Sequence, residues 1–169
     1  LRSELGLDRP LYEQYLDWMK GLLTGDLGNS IRFSMPVEEL LVARLPVTIS
    51  LAAITLLIVC FVSLPLGMFA ARRQNKISDL TLSTATQIGM AVPSFWLGMM
   101  LILYVGMKVD FFKVSGYIPW STSIAGALST LLLPALTIAI PQIAVNFRYV
   151  RTAILEQVGM DYVRTIRSK

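Results

Sequence analysis

The chain has 169 residues and a net charge of +4, with 54% hydrophobic but only 15% charged residues. A soluble domain carries about 25% charged residues, so this composition favours an integral membrane protein over a soluble enzyme or a nucleic-acid-binding domain. With one cysteine, Cys60, and no histidine, the sequence excludes an internal disulfide and a metal site built from His and Cys.

The first 44 residues form a mixed polar segment with two predicted helices. Leu, Tyr and Met recur every three or four positions between Arg9 and Leu23, which predicts an amphipathic helix that ends before Gly25. A second short helix is predicted from Pro36 to Leu45, and Pro46 then marks the entry to an apolar run. Both helices are consistent with a surface cap over a membrane domain or with a docking surface for an external partner.

Three apolar segments without charged residues follow, at residues 45–71, 80–107 and 124–147. Each exceeds the length of about 20 residues that a helix needs to cross a bilayer, so three transmembrane helices are predicted. Prolines inside or beside these runs remove backbone donors and tend to bend helices, which suits a channel lining or a kink needed only for packing. They are Pro65, Pro93, Pro134 and Pro141.

The loop charges predict an orientation in the membrane. Net charges are −2 for residues 1–44, +2 for 72–79, +1 for 108–113 and +3 for 148–169. Because cytoplasmic loops are enriched in Lys and Arg, residues 72–79 and 148–169 are predicted to be cytoplasmic. The segment 1–44 and the loop 108–123 then lie outside. An exported first segment without a leader implies a further span before Leu1.

The apolar segments contain mild polar groups but no charged ones. Charged groups inside spans usually carry ion coupling, and no phosphate-binding loop is present, so an active transporter with this sequence would take its energy from another chain. The polar side chains fit a translocation path or hydrogen bonds between helices. The predicted path residues are Gln87, Pro93, Ser94, Trp96, Gln142 and Asn146.

The basic tail predicts a helix, a break and a second short helix. Residues 148–158 extend the third apolar helix, Gly159 interrupts it, and Asp161 can cap a short helix that reaches Arg167. This element is either an anchor to anionic lipid or a docking element for a cytoplasmic partner.

Several motifs, in this order along the chain, resemble the permease subunits of bacterial ATP-binding-cassette importers of the dipeptide, oligopeptide, nickel and glutathione family. The similarity covers nearly the whole chain. The motifs are Leu5-Gly6-Leu7-Asp8-Arg9-Pro10-Leu11, Gly25-Asp26-Leu27-Gly28, Arg44-Leu45-Pro46-Val47-Thr48, Pro93-Ser94-Phe95-Trp96-Leu97-Gly98, Ser115-Gly116-Tyr117, Leu133-Pro134-Ala135-Leu136-Thr137 and Asp161-Tyr162-Val163-Arg164-Thr165.

The resemblance implies an all-α, polytopic membrane helical bundle in the bacterial inner membrane that forms the path of an ATP-driven importer. It implies four protein partners: a second permease, two cytoplasmic ATP-binding subunits and an external solute-binding protein. The chain itself is expected to be no enzyme and to hold no cofactor, with ATP and Mg²⁺ on the ATPase subunits. The alternative is a membrane scaffold or assembly protein without transport activity.

The resemblance also assigns the start of the cytoplasmic coupling loop, which contacts the ATPase, to the tail. Its residues here are Asp161, Tyr162, Val163, Arg164, Thr165, Ile166 and Arg167. The family usually has Ala where this chain has Ile166, which adds bulk at a contact position. Further spans are implied on both sides of the chain, and the transported solute is left open.

Overall fold

The computed structural model of the chain describes residues 9–158 and residue 160. The described residues form five α-helices and one short antiparallel strand pair, which confirms the predicted all-α class. In chain order the elements are α1 (Leu11–Thr24), β1 (Asn29–Ser30), β2 (Met35–Pro36), α2 (Val37–Arg72), α3 (Ile77–Ala91), α4 (Ser94–Leu101) and α5 (Ile124–Val158). The chain divides into two compact units, Leu1–Thr48 and Ile49–Lys169.

The predicted amphipathic helix of the first unit is present as α1, although no residue of it is buried. Gly25 ends it with a left-handed backbone at φ 85°, which a glycine adopts without a steric penalty. Its N–H donates to the Leu22 carbonyl at 3.3 Å, and the N–H of Asp26 donates to the Gly21 carbonyl at 2.8 Å. These two bonds satisfy carbonyls that the end of a helix would otherwise leave unpaired.

The prediction of a separate short helix from Pro36 to Leu45 is wrong. One continuous helix, α2, runs for 36 residues from Val37 to Arg72 and passes through Pro46. A proline removes one backbone donor and bends a helix, but it does not have to end it. The residues before Pro46 include Leu, Ala and Arg, which are strong helix formers, so the helix continues through the proline.

The second unit is organised around α5. A stripe of residues spaced by about four positions on α2 is buried, and at Gly67 the position of an added Cβ would lie 2.7 Å from Cγ1 of Val150 on α5. An added Cβ at Gly89 of α3 would lie 3.8 Å from Cβ of Ala144. Small residues therefore allow close approaches to α5.

The segment predicted as one span over residues 80–107 contains a break, and the two helices on either side of it, α3 and α4, are bent by 98°. Val92 has an extended backbone at φ −77° and ψ 123°, as expected for a residue that precedes a proline. Pro93 then precedes the first turn of α4. Beyond Leu101, α4 continues as a π-helical turn over Ile102–Gly106.

Two helices, α2 and α5, are long and apolar enough to cross a membrane, and the bent pair is a third if it forms one span. The helix α5 begins at Ile124, where the third predicted span begins, and continues unbroken to Val158. The loop before it is held by two bonds: Trp120 Nε1 donates to Ser50 Oγ at 2.7 Å, and the Lys113 N–H donates to the Ser129 carbonyl at 3.1 Å. The exact membrane boundaries and the orientation remain predictions.

Candidate functional site

A polar cavity of about 480 Å³ lies between α3 and α5. Both helices contribute hydrogen-bonding side chains to its wall, and the turn before α3 contributes Asn75. The lining residues are Asn75, Asp79, Leu80, Ser83, Thr86, Gln87, Met90, Ala144, Phe147, Arg148 and Arg151. A cavity of this composition can hold water or a polar solute, since its hydroxyl, amide and guanidinium groups supply both donors and acceptors.

A buried ion pair between Asp79 and Arg151 forms part of the cavity wall and joins α3 to α5. Arg151 Nε donates to Asp79 Oδ1 at 2.6 Å, and Arg151 Nη2 donates to Oδ2 at 2.7 Å. The side chain of Asp79 is only 4% exposed, whereas that of Arg151 is 25% exposed. Two parallel bonds fix the mutual orientation of the carboxylate and the guanidinium, which a single contact would not do.

The local structure around Asp79 holds its carboxylate in place. Asn75 lies in the turn between α2 and α3 with φ 63°, a left-handed conformation that asparagine tolerates better than most residues. Its N–H donates to Asp79 Oδ2 at 3.0 Å. Asp79 also lies in the first turn of α3, where the helix dipole favours a negative charge. The carboxylate thus accepts hydrogen bonds from the turn before α3 and from α5.

The predicted path residues are distributed over three regions. Gln87 lines the polar cavity. Pro93, Ser94 and Trp96 lie at and just after the break between α3 and α4, where all three are exposed.

Gln142 and Asn146 lie one turn apart on α5, and Asn146 Nδ2 donates to the Gln142 backbone carbonyl at 2.9 Å. Of the six predicted path residues, only Gln87 is among those lining the polar cavity. The sequence analysis missed Asp79 and Arg151, which it counted only as loop and tail charges. The one available signal is that Asp79 is the single acid in 72–79 and follows three basic residues.

A second, mainly apolar cavity of about 290 Å³ lies between the α4 region and α5. It is located beside the π-helical turn, a geometry often found at functional sites. Its lining residues are Gly98, Ile102, Lys113, Val114, Thr130, Leu133, Pro134, Thr137 and Ile138.

The predicted coupling residues, Asp161 to Arg167, lie outside the described residues, as does Gly159. The helix α5 ends at Val158. Within residues 9–158 and residue 160, no group of three or more His, Cys, Asp or Glu side chains could hold a metal ion.

Comparison with known proteins identifies a family that covers the larger part of the chain. Residues 63–169, more than half of the chain, match the family described as binding-protein-dependent transport system inner membrane component. The match begins within α2 and includes α3, α4, α5, the polar cavity and the predicted coupling residues.

Individual relatives align along essentially the entire chain. A protein of Brucella suis biovar 1 named as a peptide transport system permease is 38% identical over 100% of this chain and 54% of its own length. The oligopeptide transport system permease protein AppB of Bacillus subtilis is 35% identical over 99% of this chain and 54% of its own. The dipeptide transport system permease protein DppB of Escherichia coli K12 is 33% identical over 100% of this chain and 57% of its own.

The chain therefore spans about half the length of the curated relatives that it matches. The family match, the apolar helices and the order of the sequence motifs agree with one another. The chain belongs to the family of inner membrane permease components of binding-protein-dependent, ATP-binding-cassette transport systems.

Proposed function

We propose that the chain forms part of the translocation path of an ATP-driven importer for peptides or similar small solutes. The observation that carries this proposal is the family match over residues 63–169. The names of the relatives, which are peptide, oligopeptide and dipeptide permeases, support peptides as the solute class. The protein would work with a second permease, two ATP-binding subunits and an external solute-binding protein.

The polar cavity between α3 and α5 is the best candidate for a section of the path. It is lined by side chains that can replace the hydration of a polar solute, among them Ser83, Thr86 and Gln87. The remaining predicted path residues at the α3–α4 break and on α5 would line other sections. In this mechanism the helices reorient between outward-facing and inward-facing states, with the cavity accessible from one side at a time.

Energy for the reorientation would come from the partner ATPases through residues 161–167. In this segment Tyr162, Val163 and Ile166 are spaced so that a helix would present them as one apolar stripe, flanked by Arg164 and Arg167. An aromatic anchor surrounded by charges concentrates binding energy in a small interface. ATP and Mg²⁺ would bind only to the partner subunits, so this chain would hydrolyse no ATP.

Substitution of the aromatic anchor tests the proposed coupling. Truncating such an anchor costs about 2 kcal/mol or more, a loss of about thirtyfold in affinity. Tyr162→Ala in the full-length protein should therefore abolish ATPase co-purification and solute uptake at normal membrane levels. Arg164→Ala, at the edge of the stripe, serves as the matched control and should have a milder effect, mainly on association rate. Normal complex formation and uptake by Tyr162→Ala would mean that the tail is only an anchor to lipid and that the coupling assignment is wrong.

A further inference from the structure

We propose that Asp79 and Arg151 are positioning residues that clamp α5 to α3, so that both helices move as one body when the coupling segment 161–167 is displaced. This inference rests on the proposed function, and it assigns transmission of the movement to two residues in the permease. In this role both residues act through the position of the two helices, although they also form part of the wall of the polar cavity.

The geometry of the pair is that of a clamp. Both carboxylate oxygens of Asp79 accept from the guanidinium of Arg151, at 2.6 and 2.7 Å, and the Asn75 N–H adds a third bond at 3.0 Å. The carboxylate is almost completely buried, so water competes little for these bonds. A buried ion pair adds little net stability, because desolvation offsets the attraction between the charges. Fixing the relative position of two helices is the use that this geometry favours.

The pair also lies at the right place along α5. Arg151 is seven residues before the end of the helix at Val158, which is about two helical turns. The predicted coupling segment follows within a few residues. A displacement of that segment would therefore reach the Asp79–Arg151 pair before it reached the contacts nearer the start of α5, such as that of Ala144.

Contacts farther from the tail show how α3 and α5 continue side by side. Gly89 of α3 packs near Ala144 of α5, with 3.8 Å between the Cβ of Ala144 and the position of a Cβ added at Gly89. Asp79 pairs with Arg151, whereas Gly89, later on α3, packs near Ala144, which is earlier on α5. The two helices are therefore antiparallel. Between these levels, Phe147 is only 1% exposed. Small and apolar contacts of this kind can slide, whereas the bidentate pair at the end fixes the register of the two helices.

The experiment compares transport with ATP hydrolysis in the complete importer, reconstituted in vesicles at matched complex levels. The measured quantity is the amount of peptide transported per ATP hydrolysed. We expect Asp79→Asn and Arg151→Gln to lower this ratio by about tenfold, an ordinary size for pairwise coupling, while ATP hydrolysis continues. The exchange of both charges, Asp79→Arg with Arg151→Asp, should restore part of the ratio.

Two further variants distinguish a clamping role of the pair from an effect of the charge alone and from an effect on folding. Arg151→Lys keeps the positive charge but loses the two-bond geometry, so its ratio should fall between those of the wild type and Arg151→Gln. Glu156→Gln is the matched control, because Glu156 is a charged residue of the same helix that is exposed and does not line the cavity. Its ratio should remain close to that of the wild type.

The clamp is refuted if assembled Asp79→Asn and Arg151→Gln complexes keep the wild-type ratio. It is also refuted if those variants fail to assemble while Arg151→Lys transports with the wild-type ratio, since the pair would then serve folding alone. A wild-type complex without any ATP-dependent uptake would instead refute the proposed function, so the two failures can be told apart.

Discussion

Gly67 lies at a close approach between α2 and α5. An added Cβ at this position would lie 2.7 Å from Cγ1 and 2.8 Å from Cβ of Val150, and 3.2 Å from the backbone oxygen of Phe147. The contacting atoms belong to a β-branched side chain and to the backbone, which cannot move aside easily. Glycine is unfavourable inside a helix, so packing against α5 is the physical reason for a glycine here.

Two equivalent substitutions measure the importance of this contact. Gly→Ala in a helix interior gains up to about 1 kcal/mol in helix propensity, and this gain is shared by Gly67→Ala and Gly89→Ala. At Gly89 the new methyl group meets only Ala144, at an ordinary distance of 3.8 Å. At Gly67 it meets Val150, and overpacking of this kind costs about 1–3 kcal/mol.

Gly67→Ala should therefore be less stable than Gly89→Ala by about 1–3 kcal/mol. Thermal unfolding of both detergent-solubilised variants, followed by size-exclusion chromatography, measures the difference. Equal melting temperatures would show that α2 and α5 are not in close contact at Gly67.

Residue-level features were the hardest to predict from the sequence. Asp79 and Arg151 are separated by 72 positions, and loop charges counted one by one cannot show which of them will pair. The cavity residues Ser83 and Thr86 lie in an apolar run, where hydroxyl groups commonly bond back to the helix itself, as Thr86 does to the Ser83 carbonyl at 2.9 Å. Which polar groups face a common space depends on helix packing that periodicity does not reveal.

Among the helices, those with local end signals were predicted well. The helix α1 was predicted over residues 9–23 and is observed over Leu11–Thr24, because its periodicity and Gly25 are both local features. The start of α2 was predicted poorly, because Pro46 was read as a boundary when the helix passes through it. Pro93 was correctly expected to bend its helix, but a proline in the sequence does not predict the size of the bend, which is 98°.

The packing of α4 against α5 after this bend can be tested by a cross-link. An added Cβ at Gly98 would lie 3.2 Å from Cγ2 of Thr137, so cysteines at these two positions should lie close enough for a disulfide. In a Cys60→Ser background, Gly98→Cys with Thr137→Cys should therefore cross-link readily under mild oxidation.

The control for this cross-link uses the opposite face of α4. Trp96 is two positions, or about 200°, away from Gly98 around the helix, and it is 45% exposed. Trp96→Cys with Thr137→Cys should remain uncross-linked, as judged by protease cleavage between the two cysteines and gel mobility. The reverse pattern would show that α4 presents its other face to α5.

At the scale of the whole molecule, composition predicted a membrane protein, and the lengths of the apolar runs predicted that helices cross the membrane. The two long helices α2 and α5 coincide with the most apolar runs, since burying about 20 apolar residues in lipid requires continuous helical structure. The family followed from short motifs in order along the chain, and the match over residues 63–169 confirms it. Partner proteins were expected only from the resemblance, because an interface also depends on the surfaces of other chains.

The most direct test of the account is ATP-driven peptide uptake by the reconstituted complex. Vesicles would contain the full-length protein, its second permease, the two ATP-binding subunits and the external solute-binding protein, with a mixed library of short peptides outside. The account predicts that peptides detected by mass spectrometry accumulate inside only when ATP is supplied and this subunit is present. Equal accumulation in vesicles that lack this subunit, or none in the complete complex, would contradict the claim that this chain forms part of a peptide translocation path.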